Sequence, residues 1–326
     1  MIYKFTDIPQ FVPVETYHAA IGKMVKRLLD TGKVKSVFQV GGITSPGISD
    51  IDLHVVFFDE VMYTENPVKD LSFPDNYLFT HRLFGTCERL AKQLEQYTFF
   101  GKYNFLGGEP LTLLNYSADI EQTQQLKKQI ALEYLVKGWY SNAIGLSYER
   151  VKLRNFLLHA KAILLDLEFL EIKNGNLVSC IQDIMEVRKN WFTKKTDDLK
   201  LTELINRYDS GLRETILQVI GENKFFLSPE ANFQLSNRVR LTPSENLNIS
   251  SKGVKIPLLF TRLSDKLYKV QDKLNQFSLQ LPVMQQNIPE VLMQRHNILT
   301  EAFKYNQKYL PDFLCTGHAM NVFLKD

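Results

Sequence analysis

Apolar residues recur at helical spacing over Val14–Leu29, with Ala19, Ile21, Met24, Val25, Leu28 and Leu29 as the apolar positions, and Thr31-Gly32 closes the run as a helix C-terminus does. The pattern then shortens. Compact apolar runs predict strands at Ser36–Val40, Ile51–Phe58 and Asn76–Phe84, a helix at Cys87–Tyr97, and a short closing strand at Tyr103–Leu106. Residues Asp59–Asp75 hold two prolines, several acids and no periodicity, and read as a surface connection. From about Ser117 the period becomes helical, over Glu121–Leu135, Leu146–Glu171, Leu177–Phe192, Asp197–Ile220, Leu263–Leu279 and Pro289–Tyr309. In the second of these, Val151, Phe156, Leu157, Ala160, Ile163, Leu164, Leu167 and Leu170 form a stripe wide enough for a bundle core, and Arg150, Lys152, Arg154, His159 and Lys161 read mainly as its solvated face. Residues Glu222–Ile256 interrupt the helices with turn residues, two prolines and alternating pieces such as Phe233-Gln234-Leu235-Ser236 and Val239-Arg240-Leu241, which predicts a long loop or an inserted hairpin. The expected architecture is an α/β (α+β) domain with a small mixed sheet over residues 1–116, followed by a mainly α-helical domain over 117–326.

Candidate chemistry concentrates between the first two predicted strands, in Val37-Phe38-Gln39-Val40-Gly41-Gly42-Ile43-Thr44-Ser45-Pro46-Gly47-Ile48-Ser49-Asp50-Ile51-Asp52-Leu53-His54. Alternate residues of a strand share a face, so Asp50 and Asp52 point the same way. Two carboxylates that close repel unless a cation lies between them, which points to a divalent-metal site. The paired glycines allow close backbone approach, and their N–H groups suit an anion such as phosphate.

An apolar strand, Gly41-Gly42, a loop, and then Ser49-Asp50-Ile51-Asp52-Leu53 resembles the signature of the polymerase-β-type nucleotidyltransferases, over about the first 110 residues. The intervening loop is short, with seven residues between Gly42 and Asp50. The resemblance implies that Gly41 and Gly42, with Ser45 and Ser49 of the loop, contact a nucleoside triphosphate, and Arg82 is a further candidate for nucleotide binding. It also implies that Asp50 and Asp52 hold Mg2+, with Mn2+ as the alternative, and that the helical domain helps to hold a small-molecule acceptor. The implied activity is transfer of a nucleoside monophosphate from the triphosphate to that acceptor.

Active members of that family carry a third acid on a neighbouring strand, as a metal ligand or as the base that deprotonates the attacking hydroxyl. The predicted strand at Asn76–Phe84 has no acid and offers His81 and Arg82 instead. A neutral His81 is a candidate base, and Arg82 could bind a phosphate or an acidic acceptor, or set its own charge in the metal's place. Glu109 and Glu88 are alternative sources of the acid. His54, two residues beyond Asp52, is either a site residue or a hydrogen-bonded buried histidine. The second reading is therefore an inactive nucleotidyltransferase fold that binds a nucleotide or other ligand in a regulatory or accessory role.

The remaining features narrow the class. A net charge of +3 over 326 residues is too small for a surface built around long nucleic acids. Cys87, Cys180 and Cys315 lie far apart, without disulfide or zinc spacing, which suits a reducing cytoplasm. No apolar h-region opens the chain, and no run of about 18 apolar residues provides a membrane span.

Overall fold

The computed structural model describes residues 2–94, 98, 103–112, 119–194, 196–222, 225–226, 234–236, 238–253, 256–258, 260, 264–284 and 287–315. An N-terminal mixed-sheet domain precedes a largely α-helical region. The chain divides into two compact units, one built from Gln10–Thr123 with the described part of Glu290–His318, the other from the described part of Met1–Pro9 with Gln124–Pro289. The surface strand β1 (Lys4–Thr6) belongs to the second of these.

In the unit that begins at Gln10, helix α1 (Val14–Leu29) buries Tyr17, Ala20, Ile21, Met24, Val25 and Leu28 on one side. That side packs on Val37, Leu53, Val55 and Phe57 of the sheet. The sheet strands are β2 (Val34–Val40), β3 (Asp52–Phe57), β4 (Phe84–Cys87) and β5 (Tyr103–Gly108), with the C-terminal β13 (Leu314–Cys315) as the fifth. Their order is β13-β4-β3-β2-β5. β2 runs antiparallel to β3 and β5, while β4 is parallel to both β3 and β13. The result is a five-stranded mixed sheet.

Two local predictions for this unit need correction. Asn76–Phe84 is not a strand: α2 (Asp75–Leu78) is a single helical turn, residues 79–83 are irregular, and extended pairing starts only at Phe84. Leu78 and Phe79 are both buried, so the alternation a half-buried strand needs is absent. Within the predicted helix at Cys87–Tyr97, α3 (Glu88–Ala91) is one turn, and residues 95–97 lie outside the described set.

In the other unit, α4 (Ile120–Ser147) is followed by β6 (Arg150–Lys152), which pairs with β1, and by α5 (Leu153–Phe169), α6 (Asn176–Asn190) and α7 (Asp198–Glu222). α6 packs against both α5 and α7. Phe156, Leu157, Ala160, Ile163 and Leu167 are buried, as a bundle stripe requires. Arg150 and Arg154, expected on the solvated face, are buried instead, because β6 and the first turn of α5 are covered by the chain's own N-terminal strand.

After the short strands β7 (Phe225–Phe226) and β8 (Gln234–Ser236) come β9 (Val239–Pro243) and β10 (Asn248–Lys252), then α8 (Asp265–Leu274), β11 (Gln276–Leu281), β12 (Val283–Met284) and α9 (Glu290–Tyr309). β10, β11, β9 and β8 form one sheet in that order. The single helix predicted over Leu263–Leu279 is thus a helix followed by a strand. Asn275 adopts an extended conformation that stops α8, and Phe277, Leu279 and Leu281 alternate inward with a period of two.

Candidate metal centre

The sheet register builds the site. β2 ends at Val40, paired with Asp52, the first residue of β3. Gly41 makes the turn out of β2 with a φ of 72°, a left-handed conformation that favours glycine. The chain returns through the loop 43–49 to Asp50. That loop is pinned from beneath: the buried Tyr17 hydroxyl donates to the Ser49 carbonyl (2.7 Å) and accepts from the Gly47 N–H (2.9 Å). The Tyr77 hydroxyl donates to the Gly47 carbonyl at 2.5 Å. Ser45 and Ser49 close the loop on each other, the Ser45 N–H donating to Ser49 Oγ (3.2 Å) and the Ser49 N–H to the Ser45 carbonyl (2.8 Å).

Asp50 and Asp52 flank the fully buried Ile51, whose N–H donates to the Leu78 carbonyl at 3.0 Å. Both carboxyls therefore emerge on the same side, as alternation predicts. The irregular segment before β4 brings up Thr80 and His81. Thr80 Oγ1 donates to Asp50 Oδ2 (2.8 Å), and His81 Nε2 sits 2.9 Å from Asp52 Oδ1. One ligand atom each from Asp50, Asp52 and His81 lie within 4.8 Å of one another, a possible metal-holding group among the described residues.

His81 Nδ1 is 2.7 Å from the Arg82 carbonyl, which can only accept, so this nitrogen carries a hydrogen. A hydrogen on Nε2 as well makes the ring an imidazolium that donates to Asp52. Burial opposes that charge, but the hydrogen bond to Asp52 and its charge, with the Arg82 carbonyl and the charge of Asp50, outweigh it and hold His81 up at about 9. Burial first and the Asp52 charge second push Asp50 up to about 6, against the pull of Thr80 and His81. The same geometry suits an ion: with Nδ1–H held by a carbonyl, loss of the Nε2 proton turns a lone pair toward the two carboxylates, the usual orienting device for a ligating histidine.

Glu88 and Glu109 do not join this cluster. Lys35 Nζ binds both, at 3.2 and 3.0 Å, and Lys92 also holds Glu88 at 2.7 Å. Lys35 lies near the start of β2, about 17 Å along the strand from Val40 at roughly 3.3 Å per residue. Arg82 is exposed and donates through Nη1 to the Pro311 carbonyl (3.1 Å). His54 is fully buried against the Tyr103 hydroxyl, and burial holds its imidazole down at about 3, hence neutral.

Sequence reasoning missed Thr80, Tyr17 and Tyr77. Their hydroxyls act across 30 residues or more, and no local pattern announces that. The sheet and the Asp50, Asp52 and His81 group are consistent with a nucleotidyltransferase-like fold that lacks an evident third carboxylate among the described residues. No protein-family model and no curated protein sequence matches this chain.

Proposed function

We propose that the sheet unit binds a divalent metal ion together with a nucleotide, as a nucleotidyltransferase-like fold serving a regulatory or accessory role without nucleotidyl transfer. The observation that carries this reading is the 2.9 Å contact of His81 Nε2 with Asp52, in a group that holds no third carboxylate among the described residues. An imidazolium is no base, and an imidazole whose Nε2 holds an ion is none either. Asp50, Asp52 and His81 would hold the ion, which would screen their charges and those of bound phosphates. The glycine turn at Gly41-Gly42 would receive those phosphates beside it, its left-handed Gly41 allowing close backbone approach. A set of two oxygens and one imidazole nitrogen favours a first-row transition ion such as Mn2+ over Mg2+, which prefers all-oxygen surroundings.

The second reading, transfer to a small-molecule acceptor, is supported by two carboxylates close enough to share one ion. One experiment separates the two. Calorimetry across the four nucleoside triphosphates, with Mn2+ or Mg2+, should give metal-dependent binding, while the same mixtures with α-labelled triphosphate and a panel of small hydroxylic and phosphorylated acceptors should release no pyrophosphate. Pyrophosphate release that disappears in Asp52→Asn would establish the enzyme instead. Absence of binding to every triphosphate would reject both.

A further inference from the structure

Helix α8 presents its apolar side outward. Its acids are held in ion pairs: the exposed Asp265 pairs with Lys4 (2.9 Å) and Arg150 (2.8 Å), and the partly buried Asp272 with Arg238 (2.7 Å). Tyr268, between them, receives the Arg150 guanidinium over its ring and packs edge-on against Tyr148. Gln271 is 5% exposed, whereas Leu267, Val270 and Leu274 are 39%, 50% and 54% exposed. An ordinary surface helix does the reverse, burying its leucines and exposing its glutamine.

The exposed apolar residues stand at i, i+3 and i+7 and so form one stripe. Lys266, Lys269 and Lys273 repeat that spacing one residue earlier, which sets an exposed basic row about 100° round the helix, alongside the stripe. Phe260, 53% exposed, extends the apolar surface at the N-terminal end, where its carbonyl accepts from the N–H of the capping Ser264.

We infer that α8 is an interfacial helix that docks this protein on an anionic lipid surface, with Leu267, Val270, Leu274 and Phe260 entering the headgroup region and the three lysines meeting lipid phosphates. Charge complementarity selects this occupant. Lys4, Arg150 and Arg238 pair with both acids of the helix and offset their charge, leaving the three lysines beside an apolar stripe, which matches a layer of anionic headgroups over acyl chains. The helix is too short and too polar to span a bilayer, so it lies in the plane of the surface. This inference is independent of the metal centre.

The test is flotation of the full chain with phosphatidylcholine vesicles containing about 30% phosphatidylserine, against vesicles of phosphatidylcholine alone. The protein should float with the anionic vesicles and remain behind with the neutral ones. Leu267→Gln with Leu274→Gln, and separately Lys266→Gln with Lys269→Gln and Lys273→Gln, should each weaken binding by roughly tenfold or more. These side chains are exposed, so circular dichroism and thermal melting should match the parent, and Val270→Asp gives a second, single-site probe of the stripe. Failure of the parent to float with anionic vesicles would overturn the inference. So would undiminished binding by the folded stripe variants. Self-association abolished by Leu267→Gln with Leu274→Gln, without vesicle binding, would assign the stripe to a second copy of the chain and equally overturn it.

Discussion

His81 Nε2 and Asp52 Oδ1 lie 2.9 Å apart, while the other ring nitrogen of His81 faces the Arg82 carbonyl at 2.7 Å. Two acceptors on one imidazole demand two ring protons. The histidine is thus a cation held between a carboxylate and a carbonyl, and it neutralises part of the paired acids that would otherwise repel.

The metal-free protein should show this in its pH dependence. The folded-state value of His81, about 9, lies above the ordinary 6.5, so its stabilisation is complete below about 6.5 and is lost as pH rises through 9. Thermal melting of His81→Gln should therefore fall well below the parent at pH 6 and approach it near pH 9.5. A constant gap across this range would mean that His81 stabilises by packing rather than by charge.

Asp50 carries the opposite sign. Its value is raised from 3.8 to about 6, so the ionised carboxyl costs stability above pH 6, and the cost vanishes below about 4. Asp50→Asn should stabilise the metal-free protein at pH 7.5 by on the order of 1 kcal/mol, allowing for partial solvent screening, and leave it unchanged at pH 4. Metal affinity should fall at the same time. Destabilisation at pH 7.5 would show that the amide cannot accept from Thr80 as the carboxylate does.

The two turn glycines should separate. Gly41 sits at a φ of 72°, so Gly41→Ala should cost roughly 1–2 kcal/mol in chemical denaturation. An added Cβ at Gly42 meets nothing within 4 Å and needs no unusual backbone, so Gly42→Ala should leave stability alone and weaken only nucleotide binding. Equal losses of stability in both would remove the argument for phosphate approach at Gly42.

The unit that carries the site also depends on a close contact on β4, the strand beside β3. A Cβ on Gly85 would come within 2.7 Å of the Phe313 ring, and the Gly85 carbonyl accepts from Asn306 Nδ2 at 3.0 Å. Gly85→Ala should destabilise by about 1–3 kcal/mol through overpacking, and Phe313→Leu in the same chain should recover part of it. Additive losses in the double variant would place the strain elsewhere.

Features carried by local periodicity were legible before the structure. Helix α1 is found at Val14–Leu29 as predicted, and the predicted strands Ser36–Val40 and Ile51–Phe58 overlap β2 and β3, because helical spacing and a compact apolar run, buried on both faces in β3, are each carried by neighbouring residues. Asp50 and Asp52 were readable for the same reason. The segment from Asn76 to Leu83 was not, since its shape follows from distant partners: Tyr77 reaches Gly47, Leu78 caps Ile51, and Thr80 reaches Asp50. The edge pairing of Leu314 and Cys315 with Phe84 and Gly85 was equally hidden, as two residues carry no period. The outward apolar face of α8 could not be read either, because a helical wheel shows two faces without saying which one the protein covers.

The most direct test of the metal centre is calorimetric titration of the metal-free protein with Mn2+ at pH 7.5, in two buffers of different ionisation enthalpy, for the parent and His81→Gln. Binding through His81 Nε2 must expel its proton, so the parent should release close to one proton per ion bound. His81→Gln should release almost none and bind more than tenfold more weakly. Binding without proton release, or with an affinity that His81→Gln leaves unchanged, would contradict the assignment of His81 as the third ligand beside Asp50 and Asp52.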